Sequence, residues 1–407
     1  PEGNLWVADY GNSRVLRFPR PFEKQQQTAD IVLGQISFTS QLTDATIRTM
    51  ARPFGLTFSV DGHLAVSDLA HNRVLLFQKD PAKGFANGQS AWKIYGQNDS
   101  TSSGSGSATN KLNAPRGIAI DTGDRLYVCD SSNGRLSIFG PIFQQPQYGA
   151  TAADSIRNLS NPQGVFVSTA TGAIWITEPG STQARRWPNY DDLVPAGYAS
   201  NAYVNAAYPT AVALDGFGNL LVSEVTNRVD FFFPSLYVTN AASGKLRVTP
   251  GMIGSLWPAG NTYGTEIKSF DELPNPLPLP TTLADLQVLV NDAPAPLFFV
   301  APGQINFQVP STISNTGTVE VQVVRPSKDQ ILGAAAVSVE LASPGLFTND
   351  GSGGGQIAAL NQDNSRNSSS NAAAKNSVVQ LFGTGPGYVP NSPADGTLVS
   401  GLFPTES

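Results

Sequence analysis

The sequence contains one cysteine, Cys129, in 407 residues. A single thiol excludes an internal disulfide and any metal cage built from cysteines. Histidine is nearly as scarce, at two. His63 starts a strand-like segment and His71 lies in the turn beyond its end. Extended chain of that length spans on the order of 20–26 Å, whereas two ligands of one zinc lie within about 4 Å of each other. The pair therefore does not share a metal within one chain, and a histidine-based lyase or hydrolase lacks its parts. Charge is thin as well. Charged residues are 14% of the chain, and 25 Lys+Arg stand against 31 Asp+Glu, a formal net charge of -6. That balance argues against a nucleic-acid partner, which needs a basic face. No apolar run approaches about 18 residues, so no membrane-spanning helix is read. Neither a GxSxG elbow nor an HExxH pair occurs.

Apolar residues make up 40% of the chain, enough for a core, and 39 glycines and 30 prolines punctuate it. The punctuation is periodic. GNLWVAD at 3–9 aligns without gaps with GHLAVSD at 62–68, DRLYVCD at 124–130, GAIWITE at 172–178 and GNLLVSE at 218–224. Four of these follow a second shape that starts at Pro53, Pro115, Pro162 or Pro209. A polar turn and an apolar stretch come next, as in NSRVLRF, HNRVLLF, NGRLSIF and TNRVDFF. Within each motif Leu5 and Val7 alternate with Trp6 and Ala8, and Leu126 and Val128 with Tyr127 and Cys129. That period of two is a strand pattern. ADIVLGQ at 29–35 and AWKIYGQ at 91–97 add a fourth strand to the first two copies. Four short antiparallel strands repeating every 40–60 residues or so describe a propeller blade.

The run from Pro53 to Phe77 carries a Pro–x–Gly start, a Gly–x–Leu strand, Asp68 and an Asn–Arg–Val corner. It resembles the NHL repeat, and IVLGQ resembles the bacterial form of it. The resemblance covers about 1–235 and is specific in the first three copies. The fourth has Glu178 in place of Asp and a looser turn; the fifth has Glu224 and a turn one residue shorter. It implies an all-β fold with an NHL-type β-propeller. Five motifs are visible, and six blades are expected when intact. Residues upstream of Pro1 are expected to be missing from this sequence.

Asp9 and Arg14, Asp68 and Arg73, and Asp130 and Arg135 share a spacing of five; Glu224 and Arg228 are the fifth copy's counterparts. A group that recurs in every blade reads as structural: the carboxylate accepts turn hydrogen bonds and the guanidinium bridges the same corner. Cys129 fills the slot of Ala8, Ser67, Thr177 and Ser223, so it reads as a small strand residue rather than a nucleophile. Phe54, Arg116, Gln163 and Thr210, on the first strands, are the positions nearest a central channel. The long blade-to-blade loops 36–52 and 98–114 emerge on one face, the second read as flexible. Loops on a rigid scaffold are where binding usually sits.

Beyond FFFP at 231–234 the repeat stops. VTPGMIGSLW from Val248, PAPLFFVAPGQINFQVP from Pro294 and LFGTGPGYVP from Leu381 resemble the Solibacter-type C-terminal domain, a module of exported acidobacterial proteins. That resemblance implies a bacterial, extracytoplasmic or secreted protein, and it stops short of the family's full length at Ser407. The β-branched runs here, divided by Pro, Gly and Asn, suggest sandwiches. The expected domains are a propeller at 1–235, an immunoglobulin-like β-sandwich at 236–343 and an incomplete second sandwich at 344–407. ELPNPLPLP at 272–280 reads as an extended connector. GTGPGY at 383–388 lacks the following helix that a phosphate loop needs, and 364–376 lacks the acidic spacing of a calcium loop.

The expected function is a non-catalytic binding scaffold whose propeller loop face takes a protein or glycan ligand. No residue is assigned to catalysis, to a cofactor or to a metal. The alternative is a metal-assisted, calcium-type propeller lyase or lactonase, with oxygen ligands in the channel.

Overall fold

The computed structural model describes residues 3–23, 27–169, 171–215, 219–232, 235–259, 262–328 and 330–397. Two compact units emerge: residues 1–213 with 221–231, and residues 214–220 with 232–407. Among the described residues the strand ladders are antiparallel.

The first unit is a succession of small meander sheets that match propeller blades. Leu5–Asp9, Arg14–Phe18 and Ile31–Leu33 form the first. Pro53–Phe58, Leu64–Asp68, Arg73–Phe77 and Lys93–Tyr95 form the second. The third contains Pro115–Ile120, Arg125–Asp130, Arg135–Pro141 and Asp154–Ile156. Gly164–Val167, Ile174–Thr177, Gln183–Trp187 and Ala202–Asn205 make the fourth. Pro209–Leu214, Leu220–Glu224 and Arg228–Phe232 make the fifth.

Alternation along each strand explains how the sheets stack. In the second blade Leu64, Val66, Leu75 and Phe77 join Val15, Ile31 and Leu33 of the first in one core. Their neighbours Ala65, Val74 and Leu76 face the other way, into a core shared with Ile118, Leu126 and Val128 of the third. Tyr127, Cys129, Leu136 and Ile138 of the third blade meet Val165, Ile174, Ile176 and Trp187 of the fourth. Both faces of a blade are thus buried, which is why both strand phases are apolar.

The first strands approach closely, and the glycine of each Pro–x–Gly start is the contact point. A Cβ at Gly55 would lie 2.5 Å from the Arg116 carbonyl, and one at Gly117 would lie 2.4 Å from the Gln163 carbonyl. The Gly117 amide donates to that same Gln163 carbonyl at 2.8 Å. Only a glycine permits this backbone-to-backbone packing.

The second unit has a single core. One sheet runs in the order Leu236–Asn240, Ile253–Pro258, Gln304–Gln308, Leu297–Ala301, Lys268–Ser269. The other runs Ala293–Pro294, Gln287–Val290, Gly317–Arg325, Gln330–Val339. Leu256, Leu297, Ile305 and Phe307 of one sheet and Val288, Val319, Val321, Val323 and Val337 of the other share one cluster. Residues 344–397 add two short ladders, Gly345–Leu346 with Gly383–Thr384 and Ala359–Leu360 with Gln380–Leu381. The segment then returns to the two-sheet core: Asp395 accepts from the Ser311 amide, and Leu279 donates its amide to the Gly396 carbonyl. GTGPGY is packing, since Cβ atoms at Gly385 and Gly387 would meet the carbonyls of Ser343 and Leu341.

Candidate functional site

The recurring acids and arginines sit at the turn between the second and third strands of each blade. Asp68 is fully buried, and so is Arg73, whose Nε donates to it at 2.8 Å. Arg135 donates to Asp130 in the same way at 2.7 Å. Arg14 pairs with Asp9, Arg185 with Glu178 and Arg228 with Glu224. Each turn is a one-turn 3-10 helix in the first three blades, Tyr10–Asn12, Leu69–His71 and Ser131–Asn133. A left-handed residue closes it: Ser13, Asn72 or Gly134.

Two members of this corner escape a sequence reading based on Asp and Arg alone. The residue three beyond the acid also binds it. Asn12 donates to Asp9, Asn133 to Asp130, and the His71 Nδ1 faces Asp68 at 2.8 Å. The other ring nitrogen of His71 meets the Thr43 carbonyl. The acid's second oxygen holds the chain two residues before each repeat proline. The amides of Ala51, Asn113, Ser160 and Ala207 donate to Asp68, Asp130, Glu178 and Glu224 in turn. The intervening residues Arg52, Ala114, Asn161 and Tyr208 are all left-handed, a conformation that costs energy for residues with a Cβ. The corner acid offsets that cost by fixing where the first strand enters. The signal was present in the sequence as the offset from proline to acid, 15 residues in three copies and 16 between Pro162 and Glu178.

The arginines reach further, to the long loops. Arg73 donates to the carbonyls of Thr46, Thr49 and Ser100. Arg135 donates to those of Ser107, Ala108 and Lys111. The glutamines of the GQ strands complete the anchoring. Gln35 is buried and bonds to Ser13 and to both polar groups of the Leu42 backbone. Gln97 donates to the carbonyls of His71, Asn72 and Gly104 and accepts from Lys111. Loop 98–114, expected to be flexible, is therefore pinned along most of its length.

The chemistry left to these groups is small. Burial raises the Asp130 carboxyl from its ordinary value, against the bonds from Asn133, the Asn113 amide and Arg135. Burial likewise pushes the Cys129 thiol far up, with Glu178 and Asp130 nearby adding to it. A thiol so raised is a poor nucleophile. Among the described residues no three His, Cys, Asp or Glu side chains gather as a metal-binding group. Of the four first-strand positions, Phe54 is exposed with the Arg116 guanidinium 5.2 Å from its ring centre. The Thr210 hydroxyl donates to the Ser223 carbonyl.

A separate concavity lies beside the third blade's outermost strand. It has a volume of about 500 Å³ and is lined by Thr109, Arg135, Ser137, Ser155, Arg157 and Tyr198, among others. Thr109 comes from the pinned loop, Ser137 and Ser155 from paired strands, and Tyr198 from the segment before the fourth blade's last strand. The Tyr198 hydroxyl donates to Asp154 at 2.9 Å. Ser137 is buried, and its hydroxyl has no hydrogen-bond partner among the described residues. Of the lining residues only Arg135 belongs to the repeat pattern; the others come from positions that vary between copies.

A family model, the NHL repeat, matches residues 112–139. No curated protein matches the chain. Among solved structures the chain is similar to a streptogramin B lyase, at 15% identity over 57% of this chain and 65% of that one, with a TM-score of 0.35. It thus spans just under two thirds of that lyase. It is also similar to the virginiamycin B lyase of Staphylococcus aureus, at 12% identity over 56% and 75%, TM-score 0.33. A nidogen/laminin complex gives 12% identity over 81% and 92%, TM-score 0.35. The described blades and the matched segment agree on one point: residues 112–139 are an NHL repeat within a β-propeller-like fold.

Proposed function

We propose that the protein is an extracytoplasmic, non-catalytic binding scaffold that takes a glycan in the cleft beside the third blade. In this reading the propeller closes with six blades. The two-sheet unit is an immunoglobulin-like sandwich that serves as spacer or attachment module. The observation that carries the reading is the cleft's lining. Thr109, Ser155, Arg157, Asn158 and Tyr198 line one volume of about 500 Å³. Ligand sites of that size with several convergent polar groups suit a polyhydroxylated molecule. A concave polar site favours a glycan over a protein, whose interfaces have an apolar centre. The extracytoplasmic placement rests on the resemblance of the C-terminal third.

A glycan array probed with the whole chain tests the proposal. The expected result is binding to at least one neutral oligosaccharide, lost when Arg157 and Tyr198 are both replaced by alanine. An array without binding, or binding that the double substitution leaves intact, overturns it.

A further inference from the structure

The residue that follows each repeat proline changes from copy to copy: Phe54, Arg116, Gln163, Thr210. The corner groups recur because they hold every blade; a position that varies is released from that duty. The first strands that carry these residues lie against one another. The Gly117 amide bonds the Gln163 carbonyl, and Gly55 abuts the Arg116 carbonyl. This packing sets Arg116 between Phe54 and Gln163 in the row of first strands.

Arg116 differs from the corner arginines in what holds it. Arg14, Arg73, Arg135, Arg185 and Arg228 each rest on an acid. Among the described residues the Arg116 side chain forms no ion pair and no hydrogen bond. Its guanidinium carbon lies 5.2 Å from the centre of the exposed Phe54 ring, a contact that places the cation without using its donors. Nε is buried and without a partner, whereas the two terminal nitrogens stay open to solvent. The acids nearest in strand register are already taken. Asp68, opposite Pro53, holds Arg73, His71 and the Ala51 amide. Asp130, opposite Pro115, holds Arg135, Asn133 and the Asn113 amide. A second cation of the same kind stands just before Phe54. Arg52 is exposed, lies 6.0 Å from the Tyr10 ring centre and forms no ion pair among the described residues. Asp44, on the loop that leads to Arg52, bonds neither guanidinium.

We propose that Arg116 anchors a small organic carboxylate on the first-strand row. The two carboxylate oxygens accept from the terminal nitrogens, since the planar fork of a guanidinium matches a planar two-oxygen acceptor. The ligand's apolar body lies against Phe54, and the Gln163 amide supplies a donor and an acceptor beside it. Arg52 adds long-range attraction for an anion. The inference is independent of the glycan reading above, because the two sites share no residue.

The test follows the Gln163 side-chain amide and the Gly117 backbone amide by NMR in the whole chain. Three probes are titrated: benzoate, the uncharged benzyl alcohol and inorganic sulfate. Benzoate should give a saturable shift, at least about tenfold tighter than benzyl alcohol and tighter than sulfate. Arg116→Gln should weaken benzoate by about tenfold or more. Arg116→Lys keeps the charge and loses the planar fork, and it should weaken benzoate by about threefold or more. The proposal is overturned if benzoate does not saturate, if benzyl alcohol or sulfate binds as tightly, or if either Arg116 variant binds benzoate like the parent.

Discussion

The corner of the second and third blades can be set against the same corner in the first and fifth. In the second blade the Asp68 and Arg73 side chains are both 0% exposed, whereas in the first Asp9 and Arg14 are each 21% exposed. In the fifth Arg228 is 56% exposed. The residues are the same or nearly so. What differs is the cover. Arg73 and Arg135 each bond three loop carbonyls, while Arg14 bonds one, that of Phe38. A repeat motif thus specifies a geometry everywhere, but its energetic weight depends on whether a blade-to-blade loop closes over it. Breaking a buried ion pair leaves a charge without compensation, and breaking an exposed one leaves it in water.

The comparison can be broken most directly at Arg73. Arg73→Ala strands the buried Asp68 carboxylate and three loop carbonyls, and urea denaturation should show a loss of about 3–5 kcal/mol. Next comes the blade-to-blade contact itself. Gly117→Ala drives a methyl into the Gln163 carbonyl and should cost about 1–3 kcal/mol in the same assay. Arg14→Ala sharpens the contrast from the other side: at a partly exposed pair the expected loss is smaller, about 1 kcal/mol.

The smallest effect is a titration. Asp99, at the head of the second loop, accepts from the Ser102 hydroxyl and from the amides of Thr101 and Ser102. These bonds lower its carboxyl to about 2 from 3.8. A folded-state value below the unfolded one means the turn's contribution is present above pH of about 4 and is lost as pH falls towards about 2. NMR titration of the Asp99 carboxyl should show a midpoint near 2, and Ser102→Ala should raise it.

Much of this was legible in the sequence, and particular residues show why. The strand at Leu64–Asp68 follows from strict alternation, and the blade architecture from its repetition. Asp68 with Arg73 was readable as a corner because the spacing recurs. His71 was harder: it stands where Asn12 and Asn133 stand, and only the shared offset of three from the acid relates a histidine to two asparagines. The buried roles of Gln35 and Gln97 could not be read from GQ alone, since a polar residue beside a glycine usually signals an exposed turn. The composition of loop 98–114 misled for a related reason. Ser and Gly suit a flexible linker, but here the carbonyls of Ser107 and Ala108 face Arg135. The cleft beside the third blade was not visible because, Arg135 apart, it joins residues such as Thr109, Arg157 and Tyr198 at positions that differ from blade to blade.

The central claim is that the repeated acid and arginine act as one structural unit, closed by the loop above them. Double-mutant cycles of Asp68→Ala with Arg73→Ala, and of Asp9→Ala with Arg14→Ala, measure that unit by urea denaturation. A coupling above about 2 kcal/mol for the first pair and below about 1 kcal/mol for the second is expected. Equal couplings, or a Asp68–Arg73 coupling near zero, would contradict the account.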